Sequence, residues 1–315
     1  MAKSIWTTNQ IPELHGKVVI VTGANSGLGY FTTQELARQG ATVVMACRNQ
    51  QKAKSAMIHI HKEVPKARLN FIRLDLASLK SVKSFAKEFK LAFGQLNILC
   101  NNAGIMAIPR RETEDGFEMQ FGTNHLGHFA LTALLINMLR KTPKSRIINV
   151  SSIVHRFGKM NFEDLNSEKS YQKWTAYGQS KLANILFTLE LQRRLTEVNS
   201  DTLCIAAHPG YAATNLQGVG PKMTNSKMGE SINAWANKLL AQSAEMGALP
   251  SLYAATHSPI LGGNLYGPHK LWNTRGYPVL NHISKQGRVP ADGKQLWEMS
   301  EALTNIKFPD FSETA

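Results

Sequence analysis

Carboxylates are scarce in this sequence. Its 315 residues carry 22 Asp and Glu against 36 Lys and Arg, a net charge of +14 with a pI near 9.7. Such an excess fits nucleic acid, an anionic membrane surface, or an acidic small molecule such as a phosphorylated cofactor. The sequence also lacks any Lys/Arg run of the length a nucleic-acid tail needs. Its densest tract, Lys80 to Lys90, is interrupted by Val82, Phe85, Ala86 and Phe89, the pattern of an amphipathic helix with a wet basic face. The basic residues therefore read mainly as solvated surface, and no nucleic-acid partner is expected.

Cysteine is equally sparse. Cys47, Cys100 and Cys204 each close an apolar run, share no metal-type spacing, and read as buried reduced thiols. His125, His128, His155 and His208 fall on different elements without a zinc-protease spacing, so no metal site is expected. No apolar stretch approaches the length of a membrane span, and the segment from Met1 to Thr8 has no signal-like apolar region. The expectation is a soluble, cytoplasmic protein with no membrane span. Internal repeats, low-complexity tracts and a Pro/Gly/Ser linker are all missing. At roughly 150 residues per domain the length allows two domains or one large α/β unit; without a linker, a single domain over 1–315 is the better reading.

What is present is a folding pattern. Hydrophobic residues make up 43% and charged residues 18%, ordinary globular composition. Six short β-branched runs, Lys17–Thr22, Ala41–Ala46, Arg68–Leu74, Leu96–Cys100, Arg146–Val150 and Thr202–Ala207, alternate with segments of helical apolar spacing. Continuous apolar strands separated by helices predict an α/β fold: a Rossmann-type doubly wound parallel sheet in three α/β/α layers, with ligands beyond the strands' carboxyl ends. After Pro209 the pattern loosens. Residues 211–250 read as a substrate lid, with helical spacing in Ile232–Leu240 and Met246–Ala255. Residues 260–315 read as a C-terminal extension, rich in Gly and Pro until a helix near Asp292–Leu303, that covers the pocket or mediates subunit contact.

The motifs fall at those carboxyl ends. Gly23, Asn25, Ser26, Gly27, Leu28 and Gly29 follow the first strand and open the first helix, where backbone N–H groups can meet a pyrophosphate. At the end of the second strand, where a carboxylate would bind the ribose of NAD, stand Cys47 and Arg48. A guanidinium there pairs with a 2′-phosphate, so NADP(H) is the expected cofactor. Asp75 and Leu76 follow the third strand; Asp75 is placed to accept from an adenine amino group. Asn102, Ala103 and Gly104 follow the fourth, where small residues allow close approach. Tyr177 and Lys181 lie four apart on one face of a long helix. Tyr266 and Lys270 have the same spacing, but Gly267 and Pro268 between them break a helix.

Taken together, the glycine loop, Asn101-Asn102-Ala103-Gly104, Phe121 to Phe129 with Asn124, Ser151-Ser152, Tyr177 with Lys181, and Pro209-Gly210 resemble the short-chain dehydrogenase/reductase family, in its retinol dehydrogenase-like branch. The resemblance spans about 16–255. It implies a catalytic set of Asn124, Ser152, Tyr177 and Lys181. Tyr177 would exchange a proton with the substrate oxygen, its phenol drawn toward neutrality by the Lys181 cation, which would also bind the nicotinamide ribose. Ser152 would bond the developing oxyanion, and Asn124 would hold a water linked to Lys181. Ser151 is the rival serine; the register of the family favours Ser152. Pro209, Gly210 and Thr214 would hold the nicotinamide carboxamide. The 25-residue spacing from Ser152 to Tyr177 matches the retinol dehydrogenase branch, and Phe157, Phe162, Leu165 and Trp174 within it are candidate pocket residues, as are Tyr211, Met228, Trp235 and Met246 further on. That branch often carries an N-terminal membrane anchor; none is expected here.

The expected function is interconversion of a carbonyl and an alcohol on an apolar small molecule: retinal-like, steroid, lipid aldehyde or xenobiotic. The alternative is a non-catalytic NADP(H)-binding redox sensor. The family's habit of pairing through the helices carrying Asn124 and Tyr177 makes a homo-oligomer an open expectation.

Overall fold

A computed structural model describes residues 5–211 and 242–311. The strands β1 (Val18–Thr22), β2 (Thr42–Cys47), β3 (Arg68–Arg73), β4 (Ile98–Asn101), β5 (Arg146–Val150) and β6 (Leu203–Ala207) form where the β-branched runs predict them. Helices α1 (Gly27–Arg38), α2 (Gln50–Glu63), α3 (Leu79–Ala92), α4 (Gly127–Lys141) and α5 (Lys173–Glu197) cross between them, and α6 (Ala244–Thr256) precedes the last two strands. The tract from Lys80 to Lys90 is indeed amphipathic: α3 buries Val82, Phe85, Ala86 and Phe89 and leaves its lysines in water.

The six-strand expectation is too small. Two further strands, β7 (Leu265–Lys270) and β8 (Arg275–Asn281), extend the sheet to eight in the order β3-β2-β1-β4-β5-β6-β7-β8. All neighbours run parallel except β7 and β8, which form an antiparallel hairpin. The segment expected as a loose Gly/Pro tail is thus sheet. Its prolines are tolerated because β7 pairs with β6 only at Leu265 and Tyr266, leaving Pro268 beyond that ladder, while Pro278 lies on the edge strand. Tyr266 and Lys270 are in this strand and share no helix face. The closing helix α7 runs from Pro290 to Thr304.

Strand alternation divides the core into two layers. Val19 and Val21 of β1 point into one, with Met45, Leu36 and Leu252, whereas Ile20 points into the other, with Phe85, Phe129 and Ile136. The three thiols are buried and unpaired; burial pushes Cys47 up to about 11 and Cys100 up to about 12. The second layer closes over an aromatic group in which Phe308, past the end of α7, lies 4.2 Å from Trp297 and 5.1 Å from Phe129, ring centre to ring centre. These rings fasten the C-terminal segment to α4 and α5.

Sheet order places the reversal of winding between β1 and β4, where the loops after both strands diverge and leave a crevice. Phe308→Ala, which empties the aromatic group, is expected to cost about 3 to 5 kcal/mol, read as a lower urea midpoint at unchanged slope.

Candidate active site

The two loops at the crevice are held together chiefly by the side chains of Thr22 and Asn102. Thr22 Oγ1, at the end of β1, accepts the N–H groups of Asn102 and Ala103, each at 2.9 Å, and pairs with His128 Nε2 at 2.9 Å. Asn102 Nδ2 donates to Thr22 O at 2.8 Å. Across this seam Gly23 adopts φ +67°, and a Cβ on Gly29 would strike Gly23 O and come within 2.6 Å of Asn102 Nδ2. Bare backbone is therefore required at the mouth of the crevice. Ser26 precedes α1 with no side-chain cap bond, so the first-turn N–H groups face the loop. The fit to a dinucleotide pyrophosphate is good: a cradle that side chains would fill, at a helix N-terminus.

At the neighbouring strand ends, Arg48 is exposed and its Nε lies 3.9 Å from Asp75 Oδ2. Asp75 Oδ1 accepts from Ala77 N at 3.1 Å. Leu76 is buried, its carbonyl against Gly127 of α4. The residues expected to meet adenosine and its 2′-phosphate thus lie side by side.

The helical segment before α4 contains a π-helical turn, Gly122–Leu126, which puts Asn124 at its centre. Asn124 is fully buried; its Oδ1 accepts from Ile105 N at 2.8 Å, and its Nδ2 donates to Ile105 O and Ser180 Oγ, both at 2.9 Å. His128, four residues on, lies 3.1 Å from Asn124 O through Nδ1. Burial lowers His128 to about 4, so the ring is neutral: Nδ1–H donates to that carbonyl and Nε2 accepts from Thr22. Gly104 approaches the same group; a Cβ there would stand 3.1 Å from Asn124 Oδ1 and 3.3 Å from Lys181 Nζ.

Ser151 and Ser152 part company after β5. Ser151 Oγ donates to Lys181 O at 2.7 Å and is consumed in holding α5 to the strand. Ser152 heads the short helical turn Ile153–Phe157, where its Oγ accepts from Val154 N at 3.3 Å, and its hydroxyl is near enough to the Tyr177 phenol to favour the phenolate. The turn lies close on α5 because a Cβ on Gly158 would strike Gly178 O. Lys181 Nζ donates to Val150 O at 3.0 Å, an acceptor shared with Asn184 Nδ2 at 3.1 Å, and sits 5.9 Å from the centre of the Tyr177 ring.

Asn124, Ser152, Tyr177 and Lys181 therefore converge. The expected electrostatics differ from those found. Burial pushes the Tyr177 phenol up to about 12, opposed by the nearby Ser152 hydroxyl, and pulls the Lys181 ammonium down to about 8. Both groups are desolvated together, and the cation is directed at a carbonyl.

On the far side, Pro209 O accepts from Gln242 Nε2 at 2.7 Å, and Gly210 packs against Thr274 O in the β7–β8 turn. Thr214, Met228, Trp235 and most of the expected lid over 211–250 lie outside the described residues. Of the expected pocket residues, Leu165 is in the core with Phe117 and Phe121, Phe162 packs against that group, and Phe157 is exposed. Trp174 stands edge-on to Tyr177, ring centres 6.3 Å apart. Met246 lines a surface groove with Tyr30 and Phe31 of α1. The other histidines have structural partners: His125 meets Ser300 Oγ, His155 meets Ser152 O and His208 meets Asn281 Oδ1. Sequence reasoning missed Thr22, His128 and Asn184. A Thr directly before the glycine turn and a His four residues after Asn124 are the signals that could have marked the first two.

A family model described as short chain dehydrogenase matches residues 17–225. Retinol dehydrogenase 14 of Mus musculus is 39% identical over 305 residues, covering 93% of this chain and 87% of its own. Retinol dehydrogenase 13 of Homo sapiens is 46% identical over 245 residues, 76% of this chain and 72% of its own. The chain belongs to the short-chain dehydrogenase/reductase family, in its retinol dehydrogenase-like branch. Among solved structures, an uncharacterized protein from Mycobacterium paratuberculosis matches with TM-score 0.81 and 41% identity, over 97% of this chain and all of that one. A short chain dehydrogenase from Shigella flexneri, solved in complex with NADP, shares the fold at TM-score 0.61 and 20% identity, over 81% of this chain and 98% of its own. The protein is thus an oxidoreductase of this family.

A buried Lys181 lowered from 10.5 to about 8 binds its proton more weakly folded than unfolded. Below pH 8 this opposes folding by about 3 kcal/mol, and the parent gains stability as pH rises from 8 toward 10.5. Lys181→Met leaves Val150 O bonded to Asn184. It is expected to raise Tm at pH 7 by about 2 °C or more, an advantage that shrinks above pH 8 in melts taken across that range.

Proposed function

We propose that the protein interconverts a carbonyl and an alcohol on an apolar small molecule, using NADP(H), with a retinoid as the first candidate substrate. The convergence of Ser152, Tyr177 and Lys181 beside Gly104 carries this reading. The retinoid candidate comes from the relatives named retinol dehydrogenase. Steroids, lipid aldehydes and xenobiotic carbonyls share the apolar chemistry.

The glycine loop from Gly23 to Gly29, Arg48, Asp75 and the Asn102–Gly104 turn would hold NADP(H), with Lys181 at its nicotinamide ribose. Bound there, the nicotinamide supplies or accepts the hydride. Tyr177 keeps its proton at neutral pH, because burial holds the phenol near 12, and is the donor to a substrate oxygen that becomes negative. Ser152, whose hydroxyl lies beside the Tyr177 phenol, would hold that oxygen in place. Asn124, fixed by Ile105 and Ser180, positions Gly104 and the neighbourhood of Lys181.

The test is NADPH oxidation with a panel of aldehydes and ketones that includes all-trans-retinal. Turnover on an apolar carbonyl is expected, and Tyr177→Phe is expected to lower kcat at least about a thousandfold while NADPH affinity holds within a few-fold. Tight NADPH binding without turnover on any member of the panel would overturn the reading in favour of a redox sensor. Arg48→Asp is expected to shift the NADPH over NADH preference by about 10- to 100-fold, measured as the ratio of their Kd values; an unchanged ratio removes Arg48 from the phosphate.

A further inference from the structure

The turn between β7 and β8 is built against its own residue preferences. Leu271, Trp272 and Asn273 are consecutive and left-handed, at φ +48°, +54° and +69°. Asn tolerates this region; Leu and Trp do so at a cost. The turn nevertheless is fixed from several sides. Thr274 N donates to Lys270 O and Leu271 O, Thr274 Oγ1 donates to Leu271 O at 2.7 Å, and Asn273 Nδ2 donates to Pro268 O at 2.8 Å. Asn273 Oδ1 accepts from Arg156 at 2.8 Å, which ties the turn to the short helix headed by Ser152.

This strained conformation thrusts apolar side chains into water. Trp272 is 88% exposed and Leu271 61%, and Phe157, next to Arg156, is 83% exposed. Strain that is maintained in order to expose a tryptophan calls for a function. Along the segment that builds the turn, charge has one sign. From Met246 to Ala291 the chain carries no Asp or Glu, but it carries Lys270, Arg275, Lys285 and Arg288; Arg156 and Lys159 flank Phe157. A second copy of the chain meeting this face across a twofold axis would set cations against cations. An anionic bilayer satisfies both halves of the surface: indole and leucine enter the headgroup boundary while lysine and arginine remain at its charged plane.

We propose that the β7–β8 turn, with Phe157 beside it, is a docking surface for anionic lipid bilayers. Attachment is peripheral; among the described residues no helix is long and apolar enough to cross a membrane. The docking edge adjoins the candidate active site, since Thr274 O accepts from Tyr211 N at 2.8 Å and Arg156 lies four residues from Ser152. Docking does not depend on which substrate is turned over, so binding alone tests it.

The full chain is floated with vesicles of phosphatidylcholine alone and of phosphatidylcholine with about one-third phosphatidylserine. Flotation is expected only with the anionic vesicles and is expected to fall as salt rises, since each cation at the surface contributes roughly fivefold to partitioning. Trp272→Gly suits the left-handed backbone, so its Tm is expected to be no lower than the parent's while vesicle partitioning drops about tenfold or more. Lys270→Glu is expected to weaken binding to anionic vesicles without changing Tm. Failure of the parent to float, or flotation of Trp272→Gly equal to the parent's, overturns the proposal. So does a dimer that Trp272→Gly dissolves in a parent that binds no vesicles, which would assign the face to a second copy.

Discussion

The hydroxyl of Thr22 is the joint on which the candidate site rests. It gathers the N–H groups of Asn102 and Ala103 and the ring of His128, and His128 in turn holds the carbonyl of Asn124. The glycine loop, the turn after β4 and the π-helical turn before α4 are therefore linked through this oxygen, and Asn102 Nδ2 on Thr22 O and Asn124 on Ile105 brace the same joint. A crevice at the reversal of a parallel sheet follows from winding alone. A crevice with Gly104 between Asn124 and Lys181 requires this joint. The neutrality of His128 is part of it, because a protonated ring could not accept from the threonine hydroxyl.

Lys181 and Tyr177 show what the arrangement costs. Each is buried, and burial moves each away from its charged form: the lysine downward, the phenol upward. The lysine keeps one carbonyl, that of Val150, while Asn184 provides that carbonyl with a second donor. A fold selected only for stability would place a hydrocarbon at 181. The paired serines divide along the same line. Ser151 spends its hydroxyl on the backbone of α5 and fixes the helix, and Ser152 leaves its own facing Tyr177.

The sequence disclosed those parts whose signal is local. Six strands were legible because buried parallel strands are continuous β-branched runs, and α3 was legible because its lysines and its buried phenylalanines keep helical spacing. The β7–β8 hairpin was not legible. Its glycines and prolines are turn formers by any local rule, and only the edge position and the short ladder to β6 make them admissible in a strand. Thr22 and His128 were hidden for another reason: their partners lie 80 and 106 residues apart in sequence, so no spacing carries the relation. The π-helical turn that aims Asn124 has no sequence period at all. Leu165 looked like pocket lining because it lies between Ser152 and Tyr177, yet the insert folds back and buries it against Phe117 and Phe121.

The shortage of carboxylates, finally, is unevenly distributed, and the distribution carries the meaning. On α5, Glu190 accepts from Arg193 and Arg194, so basic charge there is neutralised within one helix face. On α3 the lysines are dispersed along a solvated face opposite the buried phenylalanines. Between Met246 and Ala291 no carboxylate is available in the segment itself, and that segment forms the sheet edge nearest Ser152 and Gly210. Net charge alone does not distinguish a soluble basic surface from a recognition surface. Local absence of the opposite sign does, when it coincides with a backbone strained to hold a tryptophan outward. At Arg48 the excess is a single guanidinium beside Asp75; at the β7–β8 edge it is spread along a whole segment.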